Sequence, residues 1–225
     1  YQVTIFEALE QPGGMLRVGI PDYRLPPEVL DNEINHILRH GIEIRTGVRF
    51  GSDLSLEGLR QDGFSAIFLG IGAHEAIRMH IPGEDQTEEV IDALYFLREA
   101  NLGRGKLPGN RVIVIGGGNV AIDTARVVKR LGAESVTVVY RRSEREIPAY
   151  PEELQGAREE GIELKYLTAP VSIHCQDGKV TGFECIRTEL GPPDASGRRR
   201  PVPVEGSEFV IACDAVIPAI GQKID

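Results

Sequence analysis

Three consecutive glycines at the centre of the chain separate a run of β-branched residues, Val112 to Ile115, from a segment rich in alanine and valine. Gly116, Gly118 and Ala121 fit the G-x-G-x-x-G/A fingerprint, in which the small residues allow a tight turn, a close backbone approach and close helix packing. The helix that follows offers unpaired N–H groups and the positive end of its dipole to an anion. The stretch therefore predicts a strand, a phosphate loop and a helix that bind the pyrophosphate of a dinucleotide.

The residues after this helix extend the pattern and bear on the choice of coenzyme. A glycine stops the helix and a second strand is predicted over 135–140, as a βαβ unit requires. An NAD-dependent enzyme has an acidic residue about 20 positions past the motif, but this chain has Tyr140, Arg141 and Arg142 there. A guanidinium group suits a 2′-phosphate. The sequence favours NADP(H) over NAD(H); the alternative is that both arginines belong to a solvated strand end of mixed charge.

Composition limits the classes of partner. The 225 residues carry a formal net charge of -9 and are 41% hydrophobic, which is ordinary for a globular protein. Nucleic acid is not an expected partner, because the one basic cluster, Arg198 to Arg200, lies in a turn rich in Pro, Gly and Ser and is predicted to be a solvated loop. No apolar run approaches the roughly 18 residues of a membrane span. We expect a cytoplasmic protein that contacts no membrane.

Cysteines and histidines give no metal motif. The three cysteines, Cys175, Cys185 and Cys213, are widely separated and form no C-x-x-C pair. We expect them to be small apolar residues in or beside strands, with no iron–sulfur or zinc cluster in this chain. His36 and His40 lie one helical turn apart, and a solvated helix face is favoured over a metal site there.

The first residues resemble the middle of a nucleotide-binding unit. Gln2 to Phe6 alternate like a strand and end at Glu7, where the second strand of a Rossmann unit places the acid that binds a ribose. The glycine loop of that unit is expected about 20 residues upstream. Two interpretations stay open: Glu7 is an incidental surface acid, or the chain is a fragment without its first phosphate loop, which is the interpretation we favour.

Other patterns predict alternating helices and strands. Residues 11–26 are predicted to be an irregular loop, because glycine and proline interrupt any periodicity. Helices are predicted over 26–41, 55–63, 91–100 and 151–160, and strands over 42–50, 65–70, 162–167 and 215–220. Three antiparallel strands are predicted between 169 and 214, with a Pro/Gly loop up to Val204. Residues 2–70 fit a doubly wound half-domain lacking its first strand and helix.

Four motifs support a family resemblance: GGMLRVGIPDYRLP, IPGED, GGGNVAIDTARVVKRLGA and VYRRSEREIPA, in this order. Together they resemble the family of the small (β) subunit of NADPH-dependent glutamate synthase and related FAD-dependent pyridine nucleotide oxidoreductases. The resemblance covers essentially the whole chain. It implies an α/β fold of the disulfide-oxidoreductase type, a two-nucleotide flavoprotein with a Rossmann-like NAD(P)H-binding domain inserted in a partial FAD-binding Rossmann-like domain.

The resemblance also implies domain bounds and binding residues. Residues 1–76 would be a partial FAD-binding domain, 77–214 the NADPH-binding domain with its linker, and 215–225 a truncated return to the FAD domain. The residues implied to bind NADPH are Gly116, Gly118, Asn119, Val120, Arg141 and Arg142. Those implied to bind FAD are Glu7, Gly14, Leu16, Arg17, Val48 and Gly72.

The function implied by the resemblance is transfer of hydride from NADPH to FAD, then of electrons to iron–sulfur clusters outside this chain and to a glutamate synthase-type large subunit or another electron-accepting subunit. No side chain is predicted to be catalytic; Asp123 is a candidate acid or base, but a structural carboxylate near a helix N-terminus is an equal alternative. Because the glycine fingerprint of the FAD half is absent from the sequence, the fragment is expected not to retain FAD and to be inactive alone. The alternative function is a non-catalytic binding or assembly module with a dinucleotide fold.

Overall fold

The structure, a computed structural model, describes residues 1–193 and 197–224. It divides into two compact units, residues 1–73 together with Ile224, and residues 74–223. Within the described ranges, no helix has both the length and the apolar character that crossing a bilayer requires.

The first unit contains three helices and a two-stranded parallel sheet. Its elements are β1 (Thr4–Glu7), α1 (Gly14–Val18), α2 (Pro27–Leu38), β2 (Glu43–Thr46) and α3 (Leu56–Gln61). Strand β1 pairs with β2 in parallel, from Thr4 opposite Glu43 to Glu7 opposite Thr46. Helix α3 begins with a cap in which the Ser55 hydroxyl accepts from the amide of Gly58. The predicted helices over 26–41 and 55–63 are confirmed.

Two predictions for the first unit are wrong. Residues 11–26 were expected to be irregular but include α1, a single turn too short to show periodicity; it is held by burial of Val18 and by the Arg17 side chain, which bonds to Pro12 and Asp31. Residues 65–70 form no strand. Their apolar side chains find no neighbouring strand among the described residues, and Phe68 remains 94% exposed.

The second unit is built on a four-stranded parallel sheet. Its elements are β3 (Glu75–Ala76), α4 (Ala93–Asn101), β4 (Arg111–Ile115), α5 (Asn119–Arg130), β5 (Ser135–Val139), α6 (Pro151–Glu159), β6 (Glu163–Lys165), β7 (Thr168–Gln176), β8 (Lys179–Pro193), β9 (Arg199–Pro203), β10 (Phe209–Ile211), β11 (Ala215–Pro218) and β12 (Gln222–Lys223). The strand order β11-β4-β5-β6 is the 3-2-1-4 order of a doubly wound fold, read from the opposite edge.

Strand β4 is buried on both faces of this sheet. Val112 and Val114 pack into one core with α4, α5 and α6. Ile113 and Ile115 pack into a second core with the antiparallel sheet β10-β8-β7. A strand covered on both sides reads as a continuous β-branched run, which is why the sequence predicted it correctly.

The antiparallel strands and the last strand refine the predicted boundaries. The predicted meander is confirmed, but the expected loop before Val204 contains β9, which pairs with β8 and includes Arg199 and Arg200; residues 194–196 of that loop lie outside the described ranges. Strand β11 pairs in parallel with β4, so residues 215–218 lie in the parallel sheet of the second unit. Residues 75–76 also lie in the second unit, where they pair with β12.

Helices α5 and α6 are joined by one arginine. The guanidinium of Arg126 lies between the carboxylates of Glu153, at 2.5 Å, and Glu160, at 2.9 Å, and only 12% of the Arg126 side chain is exposed. It crosses α6 at Gly156, where an added Cβ would lie 2.9 Å from Cζ of Arg126. A glycine in the middle of α6 therefore allows the ion pairs to form.

Replacing Gly156 by alanine tests this arrangement. Alanine favours a helix over glycine by about 1 kcal/mol, but its methyl group would displace the buried guanidinium from two carboxylates. We expect G156A to lower the free energy of unfolding by about 1–2 kcal/mol in urea denaturation. In the R126A background the same change should be neutral or stabilising; an equal loss in both backgrounds would contradict the steric explanation.

The ion pair that joins β4 to the residue before β11 should make stability depend on pH. Asp214 accepts from the amide of Arg111 at 2.9 Å and from its guanidinium at 2.6 Å, and these hydrogen bonds to Arg111 hold the pKa of Asp214 below its ordinary value of 3.8. Because the folded pKa is lowered, the stabilisation is complete above pH about 5 and is lost as the pH falls through the folded pKa.

The variant D214N should therefore be less stable than the parent at neutral pH, by about 1 kcal/mol or less because the pair is partly exposed. The difference should shrink at pH about 3, because the carboxyl of the unfolded chain is largely protonated there and must lose that proton for the ion pair to form. Urea denaturation of both proteins at the two pH values measures this, and a pH-independent difference would show that the carboxylate charge is not responsible.

Candidate functional site

The glycine loop begins where β4 ends. Gly116 has φ +145°, and an added Cβ would lie 2.3 Å from the carbonyl oxygen of Ala219 and 3.2 Å from the side chain of Ala121. Ala121 is fully buried, so the small third residue of the fingerprint packs against the turn as the sequence predicted. Neither position has room for a larger side chain.

Gly117 is needed for a reason that the fingerprint does not contain. An added Cβ would lie 2.5 Å from the ring of Tyr140, which is 7% exposed and follows β5. The hydroxyl of Tyr140 donates to the carbonyl of Glu146 at 2.8 Å. Gly117, the middle one of the three consecutive glycines, is the sequence signal for this contact, and the fingerprint leaves that position open.

Gly118 leaves the entrance to helix α5 open. It caps the helix with φ -83°, and no atom lies within 4 Å of the place where its Cβ would be. Among the described residues no carbonyl accepts from the amides of Asn119 or Val120, the first two residues of α5. Open backbone and free N–H groups at a helix N-terminus fit a pyrophosphate, so the residues present suit the predicted dinucleotide.

A short segment, residues 148–151, is attached to this loop. The amide of Ala149 donates to the carbonyl of Gly117 at 3.1 Å, and the amide of Tyr150 donates to Oδ1 of Asn119 at 3.0 Å. The Asn119 side chain therefore positions the beginning of α6, a role that the sequence did not reveal.

The structure separates the two arginines that follow β5. Arg141 is exposed, whereas Arg142 is 6% exposed and its Nε donates to the carbonyl of Arg199 at 2.8 Å. The carbonyl of Arg142 accepts from the amide of Leu167. Arg142 thus links the end of β5 to β9, and only Arg141 of this pair is exposed at the surface.

Three other residues considered for chemistry, one aspartate and two cysteines, are buried in the protein core. Asp123 is 3% exposed on α5, which favours its structural interpretation. Cys185 and Cys213 are fully buried, and burial raises the pKa of both thiols to about 12, so neither is a thiolate at neutral pH. The prediction that these cysteines serve as apolar core residues is confirmed. His36 and His40 are exposed, and no cluster of three potential ligands exists among the described side chains.

Of the residues implied to bind FAD, the structure brings Glu7 and Val48 together. The amide of Val48 donates to the carbonyl of Glu7 at 2.9 Å, and one carboxylate oxygen of Glu7 accepts from the amide of Leu9 at 2.9 Å. The half-buried carboxylate at a strand end suits a ribose hydroxyl. The other four residues lie elsewhere in the first unit: Gly14, Leu16 and Arg17 on α1, and Gly72 in a segment without regular structure.

Comparison with known proteins shows extended similarity. A family model described as pyridine nucleotide-disulphide oxidoreductase matches residues 5–225. The chain is 47% identical over 227 residues to the beta subunit of an NADP(+)-dependent formate dehydrogenase from Moorella thermoacetica, covering 100% of this chain and 32% of that subunit. It is 49% identical over 230 residues to the beta subunit of an NADPH-Fe(3+) oxidoreductase from Geobacter sulfurreducens, covering 100% of this chain and 34% of that subunit.

A third relative bears on the predicted resemblance. The chain is 38% identical over 234 residues to the small chain of the NADPH glutamate synthase of Escherichia coli, covering 99% of this chain and 49% of that protein, so the resemblance is confirmed. The chain thus spans about a third to a half of the length of these three relatives.

Solved structures of similar fold confirm the predicted fold class. Mycobacterium tuberculosis FprA in complex with NADPH superposes with a TM-score of 0.85 at 20% identity, over 98% of this chain and 64% of that one. Thioredoxin reductase from T. acidophilum gives a TM-score of 0.61 at 18% identity, over 98% and 69%. The chain has the α/β fold of these two-nucleotide oxidoreductases.

Two adjacent glycines should respond differently to alanine. In G117A the new methyl group would overlap the Tyr140 ring, and we expect the free energy of unfolding to fall by about 1–3 kcal/mol. In G118A the methyl group meets no protein atom, so stability should change little while close approach of a pyrophosphate is blocked. Urea denaturation and titration calorimetry with a dinucleotide separate the two effects. Equal stability of the two variants would contradict the assigned role of Gly117.

Proposed function

Because this chain belongs to the pyridine nucleotide-disulphide oxidoreductase family, we propose that it is the NADPH-binding part of an oxidoreductase that passes hydride from NADPH to FAD. The electrons then pass to iron–sulfur clusters outside this chain and to a partner subunit. The observation that carries this proposal is the open glycine loop at the start of α5, with an exposed arginine just beyond the adjacent strand. The choice of NADP(H) as coenzyme is supported by the names of the three relatives, because each name includes NADP(+) or NADPH.

Each part of the site has a defined role in this proposal. The amides of Asn119 and Val120 hold the pyrophosphate, Gly116 and Gly118 let the backbone approach it, and Arg141 binds the 2′-phosphate. Residues 77–214, extended by β11, are the NADPH domain. When bound, NADPH supplies the hydride and FAD accepts it, so no side chain of this chain has to act as a general acid or base.

The first unit is proposed to contribute to the FAD site of the whole protein. The Glu7 carboxylate would accept from the ribose and Val48 would contact the adenine, while Gly14, Leu16, Arg17 and Gly72 would line the flavin. We propose that the chain alone binds NADPH but neither retains FAD nor turns over, because the sequence contains no second glycine fingerprint. A purified chain with flavin absorbance would contradict this part.

The electron acceptor is proposed only by class. The three relatives are subunits of a formate dehydrogenase, an Fe(3+) oxidoreductase and a glutamate synthase, so the named reactions differ. We propose a glutamate synthase-type large subunit or another electron-accepting subunit as the partner. A cytoplasmic location is part of the same proposal and is supported by the three free cysteines.

Titration calorimetry of the purified chain with NADPH and NADH tests the proposal. We expect NADPH to bind more tightly. In R141A, loss of one charged hydrogen bond should weaken NADPH by about 1.5–3 kcal/mol and leave NADH nearly unchanged. Equal losses for both coenzymes would remove the assignment of NADP. If the chain binds none of the four nucleotides NADPH, NADP⁺, NADH and NAD⁺, the alternative of a non-catalytic binding or assembly module is favoured instead.

A further inference from the structure

The segment of residues 148–151 is bonded to the glycine loop at two points. The amide of Ala149 donates to the carbonyl of Gly117 at 3.1 Å, and the amide of Tyr150 donates to Oδ1 of Asn119 at 3.0 Å. Gly117 and Asn119 lie on either side of Gly118, the residue that caps α5. The two bonds therefore hold the backbone on both sides of the place where the pyrophosphate is proposed to bind.

The amides proposed to bind the pyrophosphate depend on the arrangement of this backbone. Asn119 and Val120 are the first two residues of α5, and their N–H groups face one anion only while the loop keeps its shape. A run of three glycines has more backbone freedom to lose than any other sequence. Bonds from outside the loop restrict that freedom before the coenzyme binds, so that binding costs less conformational entropy.

The segment can hold the loop because it is itself fixed on both sides. Before it, the Tyr140 hydroxyl donates to the carbonyl of Glu146 at 2.8 Å. After it, helix α6 is joined to α5 by Arg126, whose guanidinium pairs with Glu153 and Glu160. A segment that is anchored at both ends keeps the glycine loop in place instead of moving with it.

An asparagine suits position 119 for a chemical reason. Asn119 is half-buried, and its side chain supplies a neutral hydrogen-bond acceptor. Aspartate would supply an acceptor too, but it would place a negative charge beside an anionic ligand. The side-chain oxygen of Asn119 accepts from Tyr150, so this oxygen is directed at the segment. The backbone amide is the group of Asn119 that remains for the coenzyme.

We propose that Asn119 is a positioning residue for the dinucleotide, which acts through the amide of Tyr150 rather than by contact of its side chain with the coenzyme. This rests on the proposed function, because it assumes that the pyrophosphate binds at the start of α5. Loss of the bond should weaken NADP⁺ and NAD⁺ equally, since both contain the pyrophosphate. The expected loss is about two- to fivefold, in the lower part of the range for a hydrogen bond because this one is exposed.

Dissociation constants for NADP⁺ and NAD⁺, measured by titration calorimetry on the full chain, test this. N119A removes the acceptor. Y150P removes the donor, and proline fits because Tyr150 has φ -62°; Y150A removes the same ring but keeps the N–H group, so it is the matched comparison. We expect N119A to bind both coenzymes more weakly than the parent, and Y150P more weakly than Y150A by the same factor. Y95A, which removes a tyrosine exposed on α4, should match the parent.

Combining the two changes isolates the bond. Once the donor is gone, removing the acceptor should cost nothing more, so the effect of N119A should disappear in the Y150P background. If N119A weakens binding while Y150P equals Y150A, the Asn119 side chain contacts the coenzyme itself and the proposal is overturned. Losses that add in the double variant overturn it as well.

The remaining outcomes separate this inference from the proposed function. If N119A lowers the melting temperature but leaves both affinities unchanged, the bond serves folding alone and the positioning role is overturned, while the proposed function stands. A loss confined to NADP⁺ has the same consequence, because the pyrophosphate is common to both coenzymes. Both outcomes need only N119A, so they remain available if Y150P does not fold. A parent chain that binds neither nucleotide overturns both proposals.

Discussion

The second unit depends on one strand being buried on both faces. Alternate residues of β4 enter two different cores, one under the helices and one under the antiparallel sheet. A shift of the strand by one residue would exchange the two sets of side chains and misplace both cores. The end of β4 is therefore fixed relative to α5 and β11. This rigidity lets Gly116 meet Ala219 and Ala121 at distances that only a glycine tolerates.

Three glycines in sequence then meet three separate physical requirements. Gly116 must adopt a positive φ beside a carbonyl group, Gly117 must leave room for the Tyr140 ring, and Gly118 must leave the helix entrance open. Tyr140 connects the second requirement to the turn after β5, because its hydroxyl holds Glu146. One aromatic side chain thus contacts the glycine loop with its ring and the turn after β5 with its hydroxyl.

What the sequence could predict follows from how local each signal is. The βαβ unit from Arg111 to Val139 was predictable, because burial on both faces leaves a continuous apolar run and the helix follows at once. The apolar run at 65–70 gives the same signal, yet it forms no strand, since a strand also needs hydrogen-bonding neighbours that no local pattern reports. The burial of Arg142 was unpredictable for a similar reason. Its partner, Arg199, lies 57 residues away in a strand, and the Pro, Gly and Ser residues of that segment had predicted a loop.

Local pairing of acids matters more for this site than the net charge of the chain. With 34 acidic and 25 basic residues the protein as a whole repels a phosphate, but charges beyond the Debye length of about 8 Å are largely screened. The carboxylates near the glycine loop are engaged: Glu144 with Arg158, Glu146 with Ser143, and Glu153 and Glu160 with Arg126. The Arg126 ion pairs join α6 to α5, and together with the Glu144–Arg158 pair they offset the negative charge of three of these carboxylates. The ion pairs that join the two helices therefore also offset part of the acidic excess of the chain in this unit.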